Sequence, residues 1–157
     1  MKILVVFYSR KGTTRKIGEL ISKELNSESE EIIDPKRRKG IIGFIISGKD
    51  ATLKKLANIE KIQKDPENFD MIVLGTPIWN RNMTPAIRTY ITEYKNKIKN
   101  IAFFCTEGKK GGTRTFESMA DLCEKKPVSM LEITKKDIKN EEYLNKINRF
   151  IQEIKKD

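Results

Sequence analysis

The sequence predicts an α/β fold, an open parallel sheet with helices packed on both of its faces. Five short apolar runs alternate with five segments whose apolar residues recur at helical spacing. The first run, at residues 3–8, is apolar throughout, which is typical of a strand buried on both faces in a parallel sheet. Such sheets bind ligands where the carboxyl ends of the strands meet, so the loops at that edge are the candidates for function.

The elements follow one another without a repeat or a linker, and we therefore expect a single domain over residues 1–157. The predicted strands lie at 3–8, 31–34, 70–75, 101–105 and 128–133. The predicted helices lie at about 13–25, 50–64, 85–97, 113–124 and 135–155. The segment at 40–48 is apolar and punctuated by glycine; we interpret it as a loop packed over the sheet or against another subunit, with a membrane-surface role as the alternative.

Composition excludes several classes of active site. The chain has no histidine, which removes Ser-His-Asp and Cys-His catalysis and histidine-ligated metal sites. Its two cysteines, Cys105 and Cys123, are too few and too far apart for a disulfide framework or a zinc site. We therefore assign no catalytic residue and no metal site, and expect that any redox or enzymatic chemistry comes from a bound cofactor.

Charge and hydropathy bear on partners and location. The net charge of +10 comes from lysines spread along the chain between glutamates, which favours a lysine-rich surface over a nucleic-acid site; an anionic partner is the alternative. One basic cluster stands out, at 36–39. No apolar run is long enough to cross a bilayer and residues 3–8 form a core strand rather than a signal peptide. These features predict a cytoplasmic protein.

The loop after the first strand has phosphate-binding character. It joins a buried strand to a helix N-terminus, where backbone N–H groups lack partners and the helix dipole favours an anion. Ser9, Thr13 and Thr14 add hydroxyl donors, and Gly12 allows a phosphate to approach the backbone closely. The alternative is that these residues only cap the helix and turn the chain.

Two further loops reach the same edge. The loop after the third strand carries Trp79, the only tryptophan, among polar residues, and we expect an exposed side chain that stacks on a planar group; a core tryptophan is the alternative. The loop after the fourth strand contains Gly108, Gly111 and Gly112, which suit close approach to a flat ligand or, alternatively, plain turns. A phosphate pocket, an aromatic ring and a glycine-rich loop together predict a mononucleotide with a planar ring.

The residues in these loops resemble the flavodoxin-like FMN proteins. Residues 8–14 (YSRKGTT) are similar to the family's FMN phosphate loop. Residues 75–80 (GTPIWN) are similar to its first ring-contacting loop, and residues 84–90 (TPAIRTY) to the sequence after that loop. Residues 104–108 (FCTEG), with Gly111 and Gly112, are similar to its second ring-contacting loop. The resemblance implies a three-layer sandwich with strand order 2-1-3-4-5; no insertion splits the last strand, as in the short-chain form. It also implies non-covalent FMN, held by Ser9, Arg10, Lys11, Gly12, Thr13, Thr14, Thr76, Pro77, Ile78, Trp79, Asn80, Thr106, Glu107, Gly108, Gly111 and Gly112.

The sequence departs from the family's pattern at two points. Lys11 replaces a hydroxyl residue of the phosphate loop, and it either pairs with the phosphate as a point charge or faces solvent while backbone N–H groups hold the phosphate. The basic net charge contrasts with the acidic electron-carrying flavodoxins. We therefore expect the reduction potential of the low-potential FMN couple to be less negative than in an acidic flavodoxin. The reason is that the reduced flavin is an anion, which a positively charged protein repels less.

Other classes that share parts of this pattern fail on particular residues. A Walker-type nucleotidase needs Gly-Lys-Ser/Thr after a longer loop, which is absent. A response-regulator receiver needs an aspartate where the third strand here ends in Gly75-Thr76, and a cysteine phosphatase needs an arginine nearer its thiolate than Arg114 is to Cys105.

Two kinds of FMN protein stay open. One is an electron carrier between redox partner proteins, which we favour. The other is a reductase that takes electrons from NAD(P)H or a quinone, a small redox substrate. A cofactor-free nucleic-acid-binding module is disfavoured because no aromatic residues are interleaved with the basic ones. The segment at 40–48 would build either the room for a second planar molecule or a homodimer interface.

Overall fold

The computed structural model describes residues 1–35, 56–108 and 111–156. These residues build a five-stranded sheet in the order β2-β1-β3-β4-β5, and every pairing is parallel. The predicted α/β class and strand order are confirmed. The strands are β1 (Ile3–Phe7), β2 (Glu28–Glu31), β3 (Met71–Pro77), β4 (Asn100–Glu107) and β5 (Met130–Thr134).

Helices cover both faces of this sheet. They are α1 (Thr13–Glu24), α2 (Pro85–Tyr94), α3 (Gly112–Cys123), α4 (Lys135–Lys139) and α5 (Glu142–Ile154). Short 3₁₀ turns lie at Pro66–Asn68 and Lys95–Lys97. One core joins the sheet to α2 and α3, and the other joins it to α1 and α5.

β1 shows why the first run is apolar throughout. Leu4 and Val6 belong to the core under α2 and α3. Val5 and Phe7 belong to the core under α1 and α5. Because β1 is flanked by β2 and β3 and covered on both faces, each of its side chains is buried.

The predicted second strand, at 31–34, is wrong by three residues. β2 is the polar stretch Glu28–Glu31, which among the described strands pairs with β1 alone, in the register Leu4↔Glu28 to Phe7↔Glu31. Ile32 is buried but comes just after the strand. The pairing is made by backbone groups, so it leaves no hydrophobic signal in the sequence.

The predicted helix at 50–64 is also wrong where it is described. Residues 56–64 are not helical, and 50–55 lie outside the described residues, as do the segment 40–48 and the basic cluster 36–39. The carboxylate of Glu30 accepts hydrogen bonds from the backbone N–H groups of Gln63 (2.6 Å) and Lys64 (3.1 Å). These contacts with the edge strand hold the segment in a non-helical conformation.

The predicted long helix at 135–155 is divided in two. Thr134 and Asp137 form a capping box that begins α4, and Glu141 has a left-handed backbone (φ 58°) just before α5. The remaining differences from prediction are small shifts of element ends, such as the extension of β4 to Glu107. Among the described helices, none combines the length and apolar composition that a membrane span needs.

Candidate functional site

A cavity of about 320 Å³ lies at the carboxyl edge of the sheet. The loops after β1, β3 and β4 form most of its wall, as the sequence predicts for a ligand site in a parallel sheet. Ten of the sixteen predicted site residues line it: Arg10, Lys11, Thr13, Thr14, Pro77, Ile78, Trp79, Thr106, Glu107 and Gly108. Three lining residues come from the end of β5 and from α4: Ile133, Lys135 and Ile138.

The loop after β1 leaves a helix N-terminus uncapped at the cavity. Gly12 adopts a left-handed backbone (φ 93°) at the start of α1, and no side chain caps the helix. The Gly12 N–H donates to Ser9 Oγ at 3.1 Å, which leaves the Ser9 hydroxyl proton available for another acceptor. Because Thr13 and Thr14 line the cavity, the first turn of α1 borders it. An anion at this turn is stabilised by the unpaired backbone N–H groups and by the helix dipole.

A hydroxyl pair joins the first loop to β4. Thr14 Oγ1 lies 2.8 Å from Thr106 Oγ1, and both side chains are buried. The hydroxyl of Thr14 is therefore bonded to the protein on one side, and its contact with a cofactor stays a prediction. This bond fixes the start of α1 against the end of β4.

The loop after β3 folds back on itself and buries Trp79. The backbones of Trp79 and Asn82 exchange two hydrogen bonds of 3.0 Å, and Asn80 and Arg81 have positive φ (47° and 60°), as in a two-residue hairpin turn. The prediction of an exposed Trp79 is wrong, since only 8% of the residue is exposed. Its reason is this turn, which places the ring at the cavity wall rather than in solvent.

Two neighbours hold the Trp79 ring. Tyr8 contacts it edge-on, with ring centroids 5.6 Å apart and an interplanar angle of 86°. The guanidinium carbon of Arg10 lies 5.7 Å from the ring centroid, a cation–π distance. The first and second loops are thus joined through Arg10 and Trp79.

The glycines of the third loop serve the protein itself. The N–H of Gly112, the first residue of α3, donates to Glu132 Oε1 at 3.1 Å. A Cβ on Gly112 would lie 2.3 Å from that oxygen, and one on Gly111 would lie 3.1 Å from Arg81 Cα. The groups that approach these glycines closely are the Glu132 carboxylate, at Gly112, and the loop that contains Arg81, at Gly111. Contacts of Gly111 and Gly112 with a cofactor stay a prediction.

The other predicted residues that do not line the cavity include Thr76 and Asn80. Thr76 Oγ1 donates to the Pro77 carbonyl (2.9 Å) and accepts from the Thr84 N–H (3.1 Å). Asn80 is exposed at the tip of the hairpin turn. With Ser9 and Gly12, these residues shape the loops, and their contact with a cofactor stays a prediction.

Glu107 gives the cavity a buried carboxyl group. The residue is 8% exposed and, among the described residues, its Oε2 has no hydrogen-bond partner. Burial, a hydrogen bond with Glu132 and the negative charge of Glu132 raise the pKa of Glu107 to about 7. The wall of the cavity therefore carries this carboxyl group as well as the cations Arg10, Lys11 and Lys135.

The thiols and carboxylates show no sign of a metal or thiol centre. Cys105 and Cys123 are free and buried, and burial raises the pKa of both thiols, which keeps them protonated and unreactive. Within the described ranges, no three histidine, cysteine, aspartate or glutamate residues are placed to hold a metal ion.

Sequence reasoning missed the wall formed by Ile133, Lys135 and Ile138. It considered the loops after the first, third and fourth strands and gave no role to the end of the fifth. The signal was present, because parallel strands all end at one edge and Ile133 was predicted as the last residue of a strand. The predicted helix at 135–155 is divided into α4 and α5, and this division leaves α4 beside the cavity. The spacing of the apolar residues in this segment gave no sign of the division.

Comparisons with known proteins agree on one family. A flavodoxin family model matches residues 2–149, and no protein of curated function matches the sequence. A flavoprotein from Lactobacillus acidophilus, solved in complex with FMN, is 21% identical, with a TM-score of 0.74 over 90% of this chain and 97% of that one.

Two other solved structures share the fold. A flavoprotein assigned by similarity from Bacteroides uniformis is 19% identical (TM-score 0.74, 85% of this chain and 90% of that one). The flavodoxin of Megasphaera elsdenii, solved in its two-electron reduced form, is 15% identical (TM-score 0.54, 83% and 85%). At these identities the likeness establishes the fold, while the match to the family model establishes the family.

Proposed function

Because the chain belongs to the flavodoxin family, we propose that it binds FMN in the cavity at the carboxyl edge of the sheet and carries electrons between redox partners. The observation that carries this proposal is the position of the uncapped start of α1, which opens into a cavity with both cationic and apolar walls. Bound FMN would supply reversible one- and two-electron transfer.

The phosphate fits at the α1 end of the cavity. The first turn of α1 offers backbone N–H groups without intrahelical partners, Ser9 offers its hydroxyl proton, and Lys11 adds a positive charge at the cavity wall. Together these groups recognise a dianion by hydrogen bonds and by charge.

The planar ring fits between two apolar walls. Pro77, Ile78 and Trp79 line one part of the cavity, and Ile133 and Ile138 line another. A volume of about 320 Å³ falls in the range of cavities that hold nucleotide-sized ligands. Trp79 is fixed by Tyr8 and Arg10, so its ring needs little ordering when a ligand binds.

FMN binding is tested on the purified protein by adding FMN and passing the mixture through gel filtration. We expect flavin absorbance to remain with the protein and the emission of Trp79, the only tryptophan, to be quenched. Riboflavin, which lacks the phosphate, should bind at least about tenfold more weakly, because it makes no charge-assisted bonds at α1. A protein that retains no flavin contradicts the proposal.

The same loaded protein separates a carrier from the alternative, a reductase. A carrier transfers electrons at the exposed edge of its flavin and oxidises NADH or NADPH no faster than free FMN does. A reductase needs room for a second planar molecule and turns over the nicotinamide. Stoichiometric reduction by a reducing protein or dithionite, without NAD(P)H turnover, supports the carrier; steady turnover supports the reductase.

A further inference from the structure

Glu107 and Glu132 place two carboxyl groups on one face of the sheet. Cys105 pairs with Glu132 across β4 and β5, and Glu107 pairs with Thr134 two positions on, so the two glutamate side chains are diagonal neighbours on the same face. Glu107 lines the cavity. In this poorly solvated position, two full negative charges would repel each other strongly.

Among the described residues, the cations nearby form no ion pair with either carboxyl group. Lys146 Nζ donates to Asp137 Oδ2 at 2.8 Å, and its contact with Glu132 is a hydrogen bond to the backbone carbonyl at 3.3 Å rather than to the carboxylate. Arg10, Lys11 and Lys135 line the same cavity, but among the described residues no ion pair joins any cation to Glu107 or Glu132. Protonation of one carboxyl group is therefore the simplest way to remove the repulsion between the two.

The surroundings decide which carboxyl carries the proton. Glu132 Oε1 accepts the N–H of Gly112 at the start of α3, where the helix dipole favours a negative charge. Glu107 has no such donor for its buried Oε2 among the described residues. Glu107 is therefore the carboxyl that is better placed to carry the proton.

We propose that Glu107 and Glu132 hold one proton between them, and that the cavity binds its ligand in this singly protonated form, with Glu107 Oε2 accepting a hydrogen bond from the ligand. The ligand part rests on the proposed binding of FMN. Loss of the shared proton puts a second, unpaired negative charge in the wall that the ligand covers, so binding weakens as the pH rises.

The pH dependence of FMN affinity tests this inference. Titrations followed by flavin and Trp79 fluorescence should show the dissociation constant rising about tenfold from pH 6 to pH 8, since the pKa of Glu107 is raised to about 7 and binding of one form only is linked to one proton. Glu107→Gln should remove this rise, and Glu132→Gln should move it to lower pH, because burial alone still raises the pKa of Glu107 in that variant. Glu117→Gln, an exposed position on α3, removes an equal charge and should keep it.

The phosphate of FMN also titrates in this range, but it does so in every variant. The difference between the wild-type and variant curves therefore reports the carboxyl pair alone. A wild-type curve that is flat from pH 6 to pH 8, or a slope that persists unchanged in both glutamine variants, overturns the inference.

Thermal unfolding without ligand keeps the two proposals distinguishable. The folded protein holds the Glu107 proton more tightly than the unfolded chain does, so its stability falls as the pH rises through 7. We compare the Tm of Glu107→Gln with the Tm of the wild type at each pH. This difference should be about 5 °C more favourable to the variant at pH 8 than at pH 5. Equal Tm differences at both pH values rule out the shared proton. Absence of FMN binding at every pH, by contrast, overturns the proposed function and the ligand part of this inference.

Discussion

Two helix N-termini lie at the same edge of the sheet, but only one of them, among the described residues, has its first N–H bonded to a carboxylate of the protein. α1 and α3 each follow a glycine with positive φ, Gly12 at 93° and Gly111 at 138°, and neither glycine supplies a side-chain cap. At α3 the first N–H is taken by Glu132. At α1 the first turn borders the cavity. The sheet edge thus provides two places for an anion: Glu132 of the protein occupies one, and the other opens into the cavity in which we propose that the ligand binds.

The charges of the two regions follow the same division. Arg10 and Lys11 precede the start of α1, whereas Glu132 caps the start of α3 and Glu107 is its diagonal neighbour across β4 and β5. A ligand with an anionic end and a neutral ring therefore has one favourable orientation in the cavity. Charge placement, rather than shape alone, sets this orientation.

The largest effect is expected when the occupied N-terminus is broken. Gly112→Ala puts a Cβ 2.3 Å from Glu132 Oε1, so the carboxylate must leave and the Gly112 N–H loses a charge-assisted bond. We expect a loss of about 1–3 kcal/mol in the free energy of unfolding, measured by urea denaturation. Gly108→Ala is the matched control, since its Cβ would meet only Lys135 Cε at 4.0 Å. Equal stability of the two variants would contradict the role of Glu132 as the cap of α3.

The next effect concerns the backbone of the open N-terminus. A Cβ on Gly12 would meet nothing within 4 Å, so Gly12→Ala tests the left-handed conformation and not the space around it. We expect it to cost about 1–2 kcal/mol in urea denaturation. Gly12→Asn should cost clearly less, because asparagine tolerates this conformation better. Similar losses in both variants would point to a role of Gly12 other than its positive φ.

The smallest effect concerns the charge beside the open N-terminus. Lys11→Gln removes an exposed cation from the cavity wall and should weaken FMN binding about two- to fivefold at low salt. The difference should shrink at 0.5 M salt, because exposed charges are screened. Lys23→Gln, exposed near the other end of α1, should leave the affinity unchanged. If Lys11→Gln binds FMN no more tightly than riboflavin, recognition of the phosphate depends on Lys11 alone, and the proposed role of the N–H groups at the start of α1 is contradicted.

Buried elements were predictable from the sequence because burial leaves a hydrophobic signal. β1 and β3 are covered on both faces and paired on both sides, and their apolar runs indicated both strands and the edge where they end. The edge strand β2 was misplaced because its polar residues are held by backbone pairing. The non-helical course of residues 56–64 depends on Glu30, more than 30 positions away along the chain, and local periodicity cannot report such a contact.

The site divides in the same way. The three loops were predictable because their residue types have local chemical meaning, and ten of the predicted residues line the cavity. The burial of Trp79 was not predictable, because it follows from a hairpin turn of Asn80 and Arg81 in which arginine, a residue that rarely adopts positive φ, has φ 60°. Nor was the pairing of Glu107 with Glu132, which depends on the register of β4 and β5.

The polar composition of β2 also has a consequence for the behaviour of the protein at high concentration. β2 ends the sheet on one side, and an uncovered edge strand is a template for pairing with another chain. Its sequence, Glu-Ser-Glu-Glu, would bring carboxylates of two copies side by side in such a pairing. The stretch whose hydrophobicity gave no sign of a strand therefore opposes pairing with another chain at this edge of the sheet.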